Sequence, residues 1–106
     1  VSRAPTASLV VEEGGARVAF AGEWTIAAGA QLETAGRAVE ALPDGGEAVF
    51  DLSALDGLDT AGAWIISRSR QMIEESGRGG RIVGARPEHA TLLSEAAYRP
   101  VEAAPA

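Results

Sequence analysis

The hydrophobic period of this chain switches from strand-like to helix-like and back, and this alternation restricts the fold more than any other feature. Leu9-Val10-Val11 is a short apolar run, Glu12-Glu13-Gly14-Gly15 a turn signal, and Arg17-Val18-Ala19-Phe20-Ala21-Gly22 a second run. The pair predicts a β-hairpin. Leu32, Ala35, Val39 and Leu42 then recur at three- and four-residue spacing, which places them on one face of a helix beginning near Thr25 or Ala27. Pro43-Asp44-Gly45-Gly46 ends that helix. Ala48-Val49-Phe50-Asp51-Leu52 does not alternate strictly and reads as a central strand buried on both faces. A loop, Ser53 to Leu58, leads to Asp59-Thr60 and to a helix from about Ala61 to Ser76, closed by Gly77-Arg78-Gly79-Gly80. Arg81-Ile82-Val83-Gly84-Ala85 reads as a further central strand, and Pro87 is suited to start a last helix over about Glu88 to Ala97. The expected order is β-β-α-β-α-β-α. This is an α/β domain of about four strands, a front hairpin followed by parallel crossovers, with about three helices.

A chain of 106 residues holds one domain. Residues 8–98 form it, and the Pro/Ala-rich stretch 99–106 reads as a linker. With two Trp, two Phe and one Tyr, the core must rest on Leu, Ile and Val. The net charge of −6 disfavours phosphate backbones and anionic lipid surfaces as partners, so no nucleic-acid role is expected. The absence of Cys excludes a disulfide framework, a thiolate zinc site and a Cys nucleophile. No run approaches the roughly 20 apolar residues that span a bilayer, and the start Val1-Ser2-Arg3-Ala4-Pro5 carries no secretory h-region.

The junction between the third strand and the second long helix concentrates the informative residues. Gly62, Ile65, Ile66, Ser69, Met72 and Ile73 form the stripe expected to face the sheet. Thr60, Ala63, Trp64, Ser67, Arg68 and Gln71 are then expected on the outward side, with Trp64 one turn beyond Thr60. Trp64 has two readings, a binding hot spot or a ring folded over the edge of the core. Thr60 also has two. As a helix cap it stabilises by about 1 kcal/mol; as a free hydroxyl at the positive end of a helix dipole it tolerates a phosphate. Asp59 competes with it for the capping role.

Val49-Phe50-Asp51-Leu52-Ser53 followed by Leu58-Asp59-Thr60-Ala61-Gly62-Ala63-Trp64 resembles the STAS domain, the family of sulphate-transporter tails and anti-sigma-factor antagonists. Gly22-Glu23-Trp24 is similar to that family's strand end as well. The resemblance runs over about residues 8 to 98 and implies a non-catalytic interaction domain without a cofactor or metal. It implies an architectural part for Asp51, Asp59 and Gly62. In the antagonist branch the position of Thr60 is a phosphorylation site. The Gly62-Ala63-Trp64 form is more similar to the STAS domain ahead of Mla-type (lipid-asymmetry) ABC transporter permeases, which move phospholipid. In that reading the chain is an N-terminal domain cut from a permease at the cytoplasmic face of the inner membrane. The implied partner is the ABC ATPase subunit, met by Thr60, Ala63, Trp64, Ser67 and Arg68. The alternative is a phospho-switch antagonist whose partner is an anti-sigma factor kinase. Many STAS domains continue with a further strand and helix, whereas this sequence passes into its linker after Tyr98.

Other candidates have plainer readings. His89 is the lone histidine and reads as a surface residue at a helix start, since no second His or Cys completes a metal site. Asp51, Asp56 and Asp59 offer an acid cluster for catalysis or Mg²⁺ as one reading, but Asp51 ends a strand and Asp56 lies in a loop, where both suit turns and caps. No Ser-His-Asp arrangement can be assembled around one His. Gly77-Arg78-Gly79-Gly80 follows a helix and precedes a strand, the reverse of a phosphate loop. Arg68, Arg70, Arg78 and Arg81 read as solvated cations, with contact to an acidic partner surface as the second reading.

Overall fold

The computed structural model describes residues 4–12, 14–41 and 46–96. Leu42, the Pro43-Asp44-Gly45 turn, Glu13 and the expected linker at 99–106 lie outside the described residues, as does the expected domain end at Tyr98. The elements are β1 (Thr6–Glu12), β2 (Gly15–Trp24), a short 3₁₀ turn (Ile26–Ala28), α1 (Ala30–Glu40), β3 (Glu47–Leu58), α2 (Thr60–Glu75), β4 (Gly80–Val83) and α3 (Pro87–Glu95). The order is the expected β-β-α-β-α-β-α. The strands form one mixed sheet, β1-β2-β3-β4. β1 and β2 pair as an antiparallel hairpin, and β2–β3 and β3–β4 are parallel.

Both crossovers step the same way along the sheet, so α1 and α2 cover the same face, given the right-handedness of parallel connections. Val18, Phe20 and Trp24 of β2 and Ala48, Phe50, Leu52 and Leu55 of β3 are buried on that face. Leu32, Ala35 and Val39 of α1 meet them from above, as their spacing predicts, together with Ile65, Ile66 and Ile73 of α2. Phe20 stands between Trp24, edge-on at 4.9 Å, and Phe50 at 5.4 Å, so three rings anchor the centre.

Three expectations change. Ser53 to Leu58 is not a loop: β3 continues to Leu58, and its pairing with β2 shifts register between Ala19 and Ala21 and again between Gly22 and Glu23. Each shift places one extra residue on β3. The bulges absorb the polar Ser53 and Asp56, which break the hydrophobic pattern without ending the strand. Among the described residues β4 is an edge strand rather than a central one, paired with β3. β3 is central in the sheet, but the helices cover only one of its faces. Val49 and Asp51 on the other face are half-buried beside Arg17, Ala19, Arg81 and Val83.

Candidate functional site

α2 starts where the chain leaves β3. Asp59 is in extended conformation, and its Oδ1 accepts the backbone N–H of Gly62 at 3.0 Å, so Asp59, not Thr60, is the N-cap. Its second oxygen, Oδ2, accepts the N–H of Ile26 at 2.9 Å. One carboxylate therefore ties the first turn of α2 to the 3₁₀ turn that follows β2. The Asp59 N–H in turn donates to the Trp24 carbonyl at 3.4 Å. Gly62 is obligatory in this junction, because a Cβ there would fall inside that same Trp24 carbonyl group. The sequence signature Asp-Thr-x-Gly is thus a packing device, a cap followed by a close approach of helix to strand end.

With Asp59 as the cap, the Thr60 side chain is released. Thr60 is exposed at the first helical position, and its hydroxyl makes no hydrogen bond among the described residues. It stands on the lip of an open groove of about 710 Å³ lined by Ile26, Gly29, Leu32, Glu33, Asp59, Thr60, Ala61, Trp64 and Ile65. The two lips are the turn that Asp59 tethers and the first two turns of α2. Trp64 is 40% exposed and Ile26 72% exposed, so two large apolar side chains face solvent across one depression. The size falls within the range of ligand-binding clefts.

The outward face expected for α2 is corrected at several positions. Ala63 is fully buried, and Arg68 is 7% exposed, so neither is presented to a partner. Met72, expected against the sheet, is instead 40% exposed. The buried stripe of α2 is broader than expected and takes in positions 63 and 68, on opposite flanks, because α1 and α3 both pack against the helix. On the Arg68 flank α1 approaches closely at Gly36, where a Cβ would collide with the Ile65 side chain. Ser67 is half-buried and is not part of the groove lining. Thr60 and Trp64 are therefore the two expected contact residues that the fold brings together at the groove.

Arg68 occupies the α1–α2 contact. Its Nη1 and Nη2 donate to the two oxygens of Glu33 at 3.1 and 2.7 Å, and its Nε donates to Glu40 at 2.9 Å. Ser69 donates to the same Glu40 oxygen at 2.9 Å, and Arg37 reaches both Glu33 and Glu40 at 2.9 Å. The Arg68 guanidinium also lies 5.3 Å from the centre of the Trp64 ring. The hydrogen bonds from Arg68, with the charges of Arg68 and Arg37, hold the Glu33 carboxyl below its ordinary value against the opposing effect of burial. The bonds to Glu33, then to Glu40, raise Arg68 further above neutrality.

Asp51 sits elsewhere, on the uncovered face of the sheet. Its Oδ1 accepts the Ser53 hydroxyl at 2.7 Å and the Ser53 N–H at 3.0 Å, and its Oδ2 meets Arg17 at 3.4 Å. The two Ser53 bonds lower its pKa most. They hold the bulge in β3, so Asp51 shapes the strand and takes no part in the groove.

Ile26, Gly29 and Glu33 belong to the site without having been singled out from sequence. The usable signal was Ile26, an aliphatic residue off the Leu32/Ala35/Val39 stripe. His89 is a further correction: it is 5% exposed, with no hydrogen-bond partner for its Nδ1 among the described residues. α3 lays that flank on α2, so a residue in its first turn is covered. Among the described residues no group of acidic or His side chains is placed to hold a metal ion, and no helix is long and apolar enough to cross a membrane. No family model matches the chain, and no curated protein matches it.

Proposed function

We propose that this chain is a STAS-type interaction domain of an ABC lipid-transporter permease, without catalysis of its own, that docks on the ATPase subunit through the groove at the start of α2. The observation that carries this reading is the coincidence of three features on one depression. Its lips hold the exposed Thr60 hydroxyl and the exposed side chains of Trp64 and Ile26, while its floor is apolar. The β-β-α-β-α-β-α order, the Asp51-Leu52-Ser53 strand and the Asp59-Thr60-Ala61-Gly62 helix start support the family reading. A groove of this kind suits a protruding apolar element of a folded protein, for which a Trp beside a hydrogen-bonding hydroxyl is a typical anchor. The parent protein in this reading lies in the inner membrane with the domain on the cytoplasmic side.

The test is co-purification of the domain with the ATPase subunit encoded beside its parent gene. The wild-type domain is expected to retain the ATPase, and Trp64→Ala and Thr60→Glu to lose it while giving unchanged circular dichroism. Retention by both folded variants would remove the docking reading.

A second reading, a phospho-switch antagonist of an anti-sigma factor, is favoured by the exposure and freedom of the Thr60 hydroxyl, which a kinase can reach. Mass spectrometry after incubation with the kinase of a neighbouring sigma-factor operon is expected to show one phosphate on Thr60 in that case. An unmodified peptide would exclude it.

A further inference from the structure

We propose that Arg68 is a positioning residue of the groove, holding the Trp64 ring and the Glu33 carboxylate as a preformed wall. Its effect on binding rests on the docking reading above; its effect on the Trp64 ring stands independently. Arg68 is too buried to touch a partner. Its planar guanidinium is clamped along its edge, by both oxygens of Glu33 and by Glu40, and both carboxylates come from α1. Glu40 is fixed in its turn by Ser69 and Arg37. The edge being held, the guanidinium is left to support the Trp64 ring from 5.3 Å, within the range of a cation–π contact.

The two groups so held, Trp64 and Glu33, both line the groove, one from each helix. An exposed Trp without such a support samples several rotamers, and a partner must then order it on binding. A ring already in place removes that cost. The arrangement needs a fork. Lys carries the same charge, but as a compact ammonium it cannot hold two carboxylates through a planar edge and support the indole at once.

The test reads the two indole N–H signals of the ¹⁵N-labelled domain. Trp24 is fully buried and donates to the Ala21 carbonyl, so its signal serves as an internal reference. The Trp64 signal is assigned by its loss in Trp64→Phe. In the wild type the Trp64 indole is expected to have an order parameter near the value of about 0.85 typical of rigid backbone, and in Arg68→Lys below about 0.6, with Trp24 unchanged. Glu33→Gln, which frees one edge of the guanidinium, is expected to give an intermediate value. It is also the variant to read if Arg68→Lys disturbs the amide spectrum as a whole, because Glu33 is half-exposed. A Trp64 ring as ordered in the variant read as in the wild type would overturn the proposal. On the ATPase subunit, Arg68→Lys is expected to weaken binding about tenfold, mainly through faster dissociation. If Trp64→Ala leaves that binding intact, the docking reading falls, while the order parameter still decides whether Arg68 positions the ring.

Discussion

Asp51 and Asp59 stand eight residues apart in the same motif and each accepts hydrogen bonds through both oxygens, yet they build different things. The two shorter bonds of Asp51 come from Ser53, two residues on, and fix a bulge on the uncovered sheet face, with a longer one from Arg17. Asp59 reaches Gly62 on one side and Ile26, across the chain, on the other. A local acceptor shapes one strand. A bridging acceptor sets the separation of two elements, and the space between them is the groove. The difference also decides what remains available: because Asp59 takes the cap, Thr60 does not have to.

The comparison can be broken at several points, of decreasing expected effect. Gly62→Ala forces α2 away from the Trp24 carbonyl and is expected to destabilise the domain by about 3 kcal/mol or more, or to prevent folding; chemical denaturation measures it. Asp59→Ala removes the cap and the tether together and is expected to cost about 2 kcal/mol. It should also increase amide exchange at Ile26 and Gly62, whereas Asp51→Ala, at about 1 kcal/mol, should change exchange at Ser53 and leave Ile26 protected. Equal effects on Ile26 from both variants would erase the distinction. Arg17→Ala is expected to change stability by less than about 1 kcal/mol, because the ion pair it makes with Asp51 is half exposed and screened.

The depressed carboxyls give a pH signature. Glu33 and Asp51 bind protons less readily folded than unfolded, so the stability they contribute is complete above the ordinary carboxylate range of about 4. It is lost as pH falls below that range through their folded values. The melting temperature is expected to be insensitive to these groups between about pH 6 and 7 and to decline in acid. Glu33→Gln should flatten the acid decline, and an unchanged slope would show that Glu33 contributes nothing to it.

The element order was legible because hydrophobic periods and turn residues agree along most of the chain: Leu32, Ala35 and Val39 on one side, Phe50 and Leu52 on the other. What escaped the sequence were facts of tertiary contact. The continuation of β3 through Ser53 and Gly57 depends on pairing with β2, which a local pattern containing Ser, Asp and Gly does not reveal. The burial of Arg68 follows from the close approach of α1 at Gly36, a residue on another helix. Arg68 looked solvated because its two carboxylate partners lie 28 and 35 residues away in sequence. Thr60 and Trp64 could be found early, since four-residue spacing places them on one side of any helix. Ile26, which completes the groove, is brought there by a hydrogen bond from a segment separated by 33 residues.

The central claim is that the groove, and not the uncovered face of the sheet, receives the partner. The most direct measurement is a map of amide and indole chemical-shift changes in the labelled domain as the ATPase subunit is added. The account predicts changes at Ile26, Gly29, Glu33, Thr60 and Trp64, with Val49, Asp51 and Arg81 undisturbed. Changes centred on Val49, Asp51 and Arg81, with the groove residues silent, would contradict it.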